Sequence, residues 1–160
     1  MGIGISLGTI ASSGGGFSNN YSLDFDGSND NVTFTDVTYT DEFTFSFWIK
    51  TPSIRTADNL YIAGERYLTD FIQLLERNQI LLSIGGSSIT FTTTSGDGGN
   101  SIELDVWNNI VITRDGSSTV KAFRDGVAFG EATGSLSGDF DFSFLGGTTG
   151  GYYTGLMDEV

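Results

Sequence analysis

The segment Asp24–Asn31 (DFDGSNDN) gathers several side chains with hard oxygen atoms on one glycine-containing turn. Asp26, Asn29, Asp30 and Asn31 supply carboxylate and amide oxygens, which are the ligands that Ca²⁺ prefers. Any tight turn also selects these residue types, because they tolerate positive φ and hydrogen-bond to their own backbone. The segment therefore predicts either a calcium site or an ordinary turn.

The chain contains no cysteine and no histidine among its 160 residues. Without thiols it has no disulfide framework and no thiolate metal site, and without imidazole it lacks the usual general base and transition-metal ligand. Zinc chemistry and serine–histidine catalysis are excluded on this ground. Calcium is the one cofactor that the residue types support.

Tyrosines close to glycine-rich or polar segments form a second group of candidates. A sugar presents apolar C–H faces and hydroxyl groups, so an exposed ring with a few amides or carboxylates can bind it. The rings are Tyr61, Tyr67, Tyr152 and Tyr153, with Asn59, Asp97 and Asn100 as hydrogen-bonding partners. Tyrosine in a β-sandwich can equally be a half-buried edge residue. Trp48 and Trp107 lie within strand patterns and are interpreted as core.

These candidates must be positioned by β-strands, because apolar and polar residues alternate along much of the chain. Phe43, Phe45 and Phe47 are separated by single residues of another kind, which predicts a strand covered on at least one side. Leu23 and Phe25 follow the same period of two.

Turn signals separate the strands. Segment 70–76 (DFIQLLE) is short and is followed by Arg-Asn-Gln, which predicts a hairpin with segment 80–84. Asp-Gly pairs at 115–116 and 125–126 mark two more hairpins, since glycine allows the positive φ of such turns. The pattern predicts an all-β antiparallel sandwich, and the chain length fits one domain, taken as residues 17–160.

The chain is strongly acidic, with 20 Asp and Glu against 7 Lys and Arg and a net charge of −13. A phosphate backbone or an anionic bilayer would be repelled, so neither nucleic acid nor membrane insertion is expected. No apolar run is long enough to span a bilayer, and the first residues lack the pattern of a secretory signal.

Three phrases, in the order in which they occur, resemble the laminin G-like branch of the concanavalin A-like lectin/glucanase superfamily. They are YSLDFDGSNDNVTF (Tyr21–Phe34), WNNIVITRDGSSTVKAFRDGV (Trp107–Val127) and the closing GYYTGLMDEV (151–160). The resemblance implies a jelly-roll sandwich that binds, and it implies that the first and last strands pair. Asp158 would then lie near the Asp26–Asn31 turn and would add to its calcium ligands.

Glu103 and Asp105 match the first two positions of the Glu-x-Asp-x-Glu or Glu-x-Asp-x-x-Glu strand that the glucanase branch uses for catalysis. A retaining glycosidase needs its two carboxylates about 5 Å apart, which same-face positions of one strand can provide. The third acid is missing, because Trp107 and Asn108 occupy its place. The segment is therefore interpreted as a loop with solvated charges, and the protein is predicted not to be an enzyme.

Residues 1–16 (MGIGISLGTIASSGGG) form a Gly/Ser-rich arm in which Ile3, Ile5 and Leu7 alternate with small residues. The arm is either a mobile tail or a strand that docks on the sheet edge of a neighbouring protein. The family pattern continues beyond the DEV run, so a short last strand, a truncated chain and completion by a neighbour all remain open. We expect an oligomer or a larger assembly.

Together these observations predict a non-enzymatic binding or adhesion module whose partner is a glycan or cell-surface polysaccharide. An acidic, cysteine-free chain with such an arm and no signal peptide looks like a virion surface protein, such as a capsid decoration or tail-fibre protein of a phage. Its arm would contact other virion or assembly proteins. One alternative is a purely structural assembly protein without a ligand, and the other is a glycan hydrolase or lyase.

Overall fold

The computed structural model describes residues 5–7, 21–54, 60–65, 67–93, 100–130, 135–148 and 151–160. Within these ranges the chain forms β-strands and no helix. The strands are β1 (Ile5–Leu7), β2 (Tyr21–Asp26), β3 (Val32–Tyr39), β4 (Phe43–Lys50), β5 (Leu60–Gly64), β6 (Phe71–Glu76), β7 (Gln79–Ile84), β8 (Ser87–Thr92), β9 (Asn108–Arg114), β10 (Val120–Arg124), β11 (Val127–Ala128), β12 (Phe140–Leu145), β13 (Gly147–Thr148), β14 (Gly151–Tyr152) and β15 (Thr154–Asp158).

Two antiparallel sheets pack against each other as a sandwich. The seven-stranded sheet has the order β1-β2-β15-β4-β9-β10-β11, and the six-stranded sheet has the order β3-β12-β5-β6-β7-β8. Strands β13 and β14 form a separate two-stranded ribbon. The predicted all-β antiparallel sandwich is confirmed. None of the described segments is a helix long and apolar enough to cross a membrane.

The period of two along β4 separates the core from the surface. Phe43, Phe45 and Phe47 are buried, whereas the intervening Thr44 and Ser46 are exposed. Because successive side chains of a strand point to opposite faces, the three rings face the second sheet. The inner strand that the sequence predicts is therefore present.

Aromatic side chains join the two sheets. Phe45 packs edge-to-face against Phe140 and Phe142 of β12, with ring centroids 5.7 and 4.8 Å apart. Phe43 stacks on Phe140 at 5.5 Å. Full burial of one such side chain contributes about 1.5–3 kcal/mol, so this group fixes β4 and β12 across the sandwich.

The three predicted hairpins are present. They join β6 to β7, β9 to β10, and β10 to β11. In the last of them Asp125 and Gly126 have φ values of 50° and 78°. The left-handed backbone at these two positions explains the Asp-Gly pair in the sequence, because glycine adopts it without strain.

Part of the N-terminal arm pairs with the chain's own sheet. In β1, Ile5 is opposite Leu23 and Leu7 is opposite Tyr21 of β2. The three residues of β1 therefore extend the edge of the seven-stranded sheet. The remainder of the arm lies outside the described residues, so docking onto a neighbour stays a prediction, as does the domain boundary at residue 17.

Candidate functional site

Neither tryptophan belongs to the buried core, contrary to the interpretation of the sequence. Phe47 and Ile49 of β4 are fully buried, so Trp48 between them projects from the outer side of the seven-stranded sheet, where it is half-buried. Trp107 is also half-buried and immediately precedes Asn108, which faces inward. The interpretation of Trp48 was wrong because it followed the hydrophobicity of the side chain, whereas the alternation along β4 puts Trp48 on the side opposite the buried phenylalanines.

The strand register surrounds Trp48 with polar and apolar side chains. Asp158 of β15 and Asn109 of β9 are its direct cross-strand partners. Lys50 follows two residues later on the same side and is opposite Leu156. Directly opposed residues on one face have Cβ atoms about 4.5–5.5 Å apart, so these side chains form one continuous surface.

Two further residues extend this surface across the sheet. Val111 of β9 is paired with Ser46 of β4 on one side and with Phe123 of β10 on the other. Both Val111 and Phe123 are half-buried on the outer side. We call this surface the tryptophan face, and it consists of Trp48, Lys50, Trp107, Asn109, Val111, Phe123 and Leu156.

The tryptophan face combines aromatic rings with available polar groups. Among the described residues, the side chains of Lys50 and Asn109 have no hydrogen-bond or ion-pair partner. An indole ring can cover the C–H face of a sugar, while an ammonium group and an amide bind its hydroxyls. A largely apolar surface with a few polar groups is typical of a small-ligand or glycan site.

Tyr153 is buried in the core and is not an exposed platform. Its side chain is 0% exposed and its ring packs edge-to-face against Phe25 at 5.8 Å. The hydroxyl donates to the carbonyl oxygen of Leu156 at 3.2 Å. Burial raises the pKa of the Tyr153 hydroxyl well above its usual range. The prediction that Tyr153 stacks on a ligand is therefore corrected.

Tyr61 is also buried, at 9% exposure, on the outer side of the six-stranded sheet. It is opposite Gln73 and packs edge-to-face against Phe71 at 5.1 Å. Burial raises the pKa of its hydroxyl. The protein covers the Tyr61 ring, so the ring is not available to stack on a sugar as predicted.

Tyr67 is the exposed member of the predicted set, at 83% exposure. It lies in the β5–β6 loop, which the carboxylate of Glu65 holds in shape. That carboxylate accepts hydrogen bonds from the backbone N–H of Tyr67 at 2.5 Å and of Thr69 at 2.7 Å. Tyr67 thus presents an aromatic ring to solvent.

Tyr152 and Asn100 are the remaining described members of the predicted set. Tyr152 is half-buried in β14, whose partner β13 follows the end of β12. In the antiparallel register of β12 and β5, Leu145 is opposite Ala63, so the segment after β12 runs towards Leu60, whereas Tyr67 follows Gly64 at the other end of β5. Asn100 donates its side-chain amide to the carbonyl oxygens of Val127 at 3.1 Å and Ala128 at 2.9 Å, which is a structural role.

Asn59 and Asp97 lie outside the described residues, so their predicted roles stay predictions. The five described members of the predicted ligand set do not form one site. Tyr67 and Tyr152 are at opposite ends of the sandwich, and Tyr61 and Tyr153 are buried. The tryptophan face was missed, although the alternation of β4 placed Trp48 opposite the phenylalanines and could have indicated it.

The predicted calcium turn is closed by its own hydrogen bonds. The Asp26 carboxylate accepts a hydrogen bond from the N–H of Ser28 at 2.7 Å, and the Asp30 carboxylate accepts one from the N–H of Asp26 at 3.0 Å. Asn29 and Asn31 are exposed. Within the described ranges no three acidic residues are grouped as a metal site. These contacts account for the turn, and calcium binding stays a prediction.

Asp158 does not join the Asp26–Asn31 turn, although the first and last strands of the matched region do pair. In the antiparallel register of β2 and β15, Thr154 is opposite Asp26 and Met157 is opposite Leu23. Asp158 is therefore four residues farther along β15, about 13 Å from the turn. It lies beside Trp48 instead.

The two acids of the catalytic candidate lie in a loop and not on a strand. The Glu103 carboxylate forms an ion pair with Arg124 at 2.7 Å. Asp105 has a φ of 59°, and its backbone N–H donates to the carbonyl oxygen of Thr51 at 3.0 Å. Because the two side chains do not share one face of a strand, the arrangement that a retaining glycosidase requires is not formed here.

Two antiparallel sheets packed face to face define a β-sandwich of the jelly-roll type. The chain belongs to the laminin G-like family of the concanavalin A-like lectin/glucanases superfamily, whose family model matches residues 26–160. The resemblance seen in the sequence is confirmed. A comparison with curated protein sequences finds no match.

Solved structures share this fold at low sequence identity. The chain is similar to the binding domain of Paraclostridial Mosquitocidal Protein 1, with 16% identity and a TM-score of 0.60, and to the receptor binding domain of Botulinum Neurotoxin Type G, with 19% identity and a TM-score of 0.52. In both cases 98% of this chain is covered, and it spans 41% of the toxin domain. The carbohydrate binding module CBM66 from Bacillus subtilis gives 11% identity and a TM-score of 0.49, with 86% of this chain and 81% of the module covered.

Proposed function

We propose that this chain is a non-enzymatic carbohydrate-binding module that acts through the tryptophan face. The observation that carries the proposal is the position of Trp48, half-buried on the outer side of the seven-stranded sheet beside Asn109 and Lys50, with the half-buried Trp107 directly before β9. Burying an exposed apolar surface on a ligand is favourable by roughly 25 cal/mol per Å², so a half-exposed aromatic group is a source of binding energy. The partner is a glycan or a cell-surface polysaccharide.

The contacts of Glu103 favour a glycan-binding function over that of a glycan hydrolase or lyase. Its carboxylate is held by Arg124 at 2.7 Å, and the sequence offers no third acid at the position where the glucanase pattern has one. The ion pair gives this carboxylate a structural role within the fold, so the segment lacks the two available acids that a glycosidase uses.

The proposal extends to where the module acts. An acidic sandwich with an N-terminal arm suits a virion or extracellular surface, where it would be displayed in several copies. The pairing of β1 with β2 makes β1 the edge strand of the seven-stranded sheet, and a neighbouring chain could add a strand to that edge.

The first experiment is a glycan array probed with the full chain in buffers that contain either calcium or EDTA. Trp48→Thr keeps a strand-forming residue while it removes the indole, and Trp107→Ala removes the second ring. We expect selective glycan binding that each substitution weakens about tenfold, which corresponds to the loss of one aromatic contact. Tyr67→Ala is the matched control, because it removes an exposed ring from the β5–β6 loop.

Each result has a defined meaning. Binding that Trp48→Thr leaves unchanged, in a variant with an unaltered melting temperature, would place the site elsewhere. Binding lost in EDTA would assign a calcium ion to the Asp26–Asn31 turn. Binding to no glycan in either buffer would favour the structural alternative.

The structural alternative has its own test. If the chain serves only in assembly, deletion of residues 1–16 should abolish the assembly, as measured by light scattering. If the chain is a lectin, the shortened protein should retain its glycan affinity, because the tryptophan face lies on β4, β9, β10 and β15 and not on the arm.

A further inference from the structure

An open polar pocket of about 440 Å³ lies where β4 begins and β9 ends. This volume is within the range of small-ligand pockets. Apart from the buried Phe43 and Arg114, the residues that line it are Glu42, Thr44, Thr113, Asp115, Thr119 and Lys121. The pocket is not part of any site that the sequence indicated.

The strand register puts the pocket on the same side of the sheet as the tryptophan face. Thr44, Thr113 and Lys121 form one cross-strand row over β4, β9 and β10. Thr44 and Trp48 are four residues apart, an even number, so both project from the outer side. With about 3.4 Å per residue and about 4.8 Å per strand, Trp48 and Lys121 are roughly 16 Å apart.

The groups that line the pocket differ in their availability. The Asp115 carboxylate is used by its own turn, since it accepts a hydrogen bond from the backbone N–H of Thr119 at 3.0 Å. In the part of the chain that the structure describes, the hydroxyls of Thr44 and Thr113 and the ammonium group of Lys121 have no hydrogen-bond or ion-pair partner. The two threonine hydroxyls can therefore bind a ligand without breaking a hydrogen bond among the described residues, whereas the Lys121 ammonium group also interacts electrostatically with the Asp115 carboxylate.

The two remaining charged residues define the wall of the pocket. Arg114 is buried, and its guanidinium donates to the carbonyl oxygens of Asp41 and Gly138, so it is not directed at a ligand. Glu42 lies against the β9–β10 turn, where a Cβ on Gly116 would come within 2.7 Å of its Oε1. Lys121 is thus the cation that the pocket offers to an incoming group.

A half-buried row connects the pocket to Trp48. Val111 and Phe123 are directly paired and lie two residues from Thr113 and Lys121 along their strands. Because the rows at Trp48, Val111 and Thr113 share one side of the sheet, the surface between the two ends is continuous.

We propose that the pocket is a second subsite of the tryptophan face and that the ligand class is an oligosaccharide that extends along the strands from Trp48 to Lys121. This inference rests on the proposed carbohydrate-binding function. A single sugar cannot contact two groups roughly 16 Å apart, so affinity must increase with the length of the glycan. Lys121 donates to a hydroxyl or carboxylate oxygen of the distal unit, and Thr44 and Thr113 bind its hydroxyls.

The test is isothermal titration calorimetry of the full chain with two ladders of defined length, neutral cello-oligosaccharides and acidic oligomannuronates, each from the monosaccharide to the hexasaccharide. We expect the affinity to rise most between the disaccharide and the tetrasaccharide. Lys121→Ala and Thr113→Ala should weaken hexasaccharide binding about tenfold and leave disaccharide binding unchanged, as expected for the loss of one distal hydrogen bond to a charged or hydroxyl donor. Thr90→Ala, at an exposed position of β8, is the matched control.

The outcomes distinguish failure of the second subsite from failure of the proposed carbohydrate-binding function. Affinity that is independent of length but sensitive to Trp48→Thr overturns the second subsite and keeps the carbohydrate-binding function. The second subsite is also overturned if Lys121→Ala weakens disaccharide and hexasaccharide binding equally. It is overturned as well if the chain binds glycans on the array but neither oligosaccharide ladder. If no glycan binds on the array or in the ladders, the proposed function fails. A preference for oligomannuronate that Lys121→Ala removes identifies a carboxylate as the distal group.

Discussion

Phe43 and Arg114 are cross-strand partners on the inward side of the seven-stranded sheet, and the guanidinium carbon of Arg114 lies 5.0 Å from the centroid of the Phe43 ring. The arginine is only 4% exposed. Its guanidinium donates to the carbonyl oxygens of Asp41 at 2.5 Å and Gly138 at 2.6 Å. A ring face and backbone carbonyls therefore compensate this buried charge and connect β9 to the loops before β4 and β12.

Replacement of Arg114 should destabilise the sandwich strongly. Arg114→Lys retains the charge but not the planar fork of donors, and it leaves at least one buried carbonyl without a partner. We expect a loss of about 2–3 kcal/mol in the free energy of unfolding, measured by urea denaturation. Lys121→Ala, on the exposed side of the same sheet, should change it by less than about 0.5 kcal/mol. Equal effects of the two substitutions would contradict the structural role of Arg114.

Two glycines with positive φ form a matched pair that separates the cost of backbone strain from the cost of overpacking the core. A Cβ on Gly146 (φ 83°) would lie 2.0 Å from a ring carbon of Phe25, whereas a Cβ on Gly85 (φ 56°) would meet nothing within 4 Å. Gly85→Ala should cost only the backbone strain of about 1–2 kcal/mol. Gly146→Ala should cost in addition about 1–3 kcal/mol for overpacking. Thermal unfolding of both variants measures the difference, and similar melting temperatures would show that the core around Phe25 yields.

Local patterns allowed most of the fold to be predicted from the sequence. The spacing of Phe43, Phe45 and Phe47 determines the face of β4 that is buried, and the Asp-Gly pairs determine two hairpins, since each depends on neighbouring residues alone. The order of the strands is different. The pairing of β12 with β3 and β5 joins segments far apart in the chain, and no local signal specifies it.

The candidate site was less predictable for a related reason. Tyr67 and Tyr153 have the same residue type, but one is 83% exposed and the other 0%, and that difference depends on tertiary packing. Trp48 illustrates the reverse error, because its hydrophobicity favoured the core while its position between two inward-facing residues placed it outside. The strand period was the better guide to the surface than the residue type.

The placement of the tryptophans is testable without a ligand. Trp48→Phe and Trp107→Phe each leave one indole in the chain, so their fluorescence reports on one position at a time. Because both side chains are half-buried, acrylamide should quench both variants at rates between those of a free tryptophan amide and a fully buried indole. Protection of either indole to the level of a core residue would contradict its assignment to the outer face.

Asp70 introduces a pH dependence into the fold. The side chain is 4% exposed, and burial is the main cause that raises its pKa above the ordinary value of 3.8, with the charges of Asp141 and Glu65 acting in the same direction. Hydrogen bonds from the N–H of Gly85 and the hydroxyl of Thr69 oppose this shift. A carboxyl whose pKa is higher in the folded state binds its proton more tightly there, so ionisation costs stability above that raised pKa.

The direction in which stability changes with pH can be measured by comparison with the neutral Asp70→Asn variant. As pH falls through the raised folded-state pKa towards 3.8, the wild type should gain stability relative to Asp70→Asn, and below 3.8 the difference should be constant.

Asp115 is the opposite case, because hydrogen bonds from Ser117 and Thr119 lower its pKa below 3.8. Relative to Asp115→Asn, the wild type should therefore lose stability as pH falls below 3.8. Urea denaturation of the three proteins at several pH values measures both differences, and a common direction for the two variants would show that burial of Asp70 does not control its protonation.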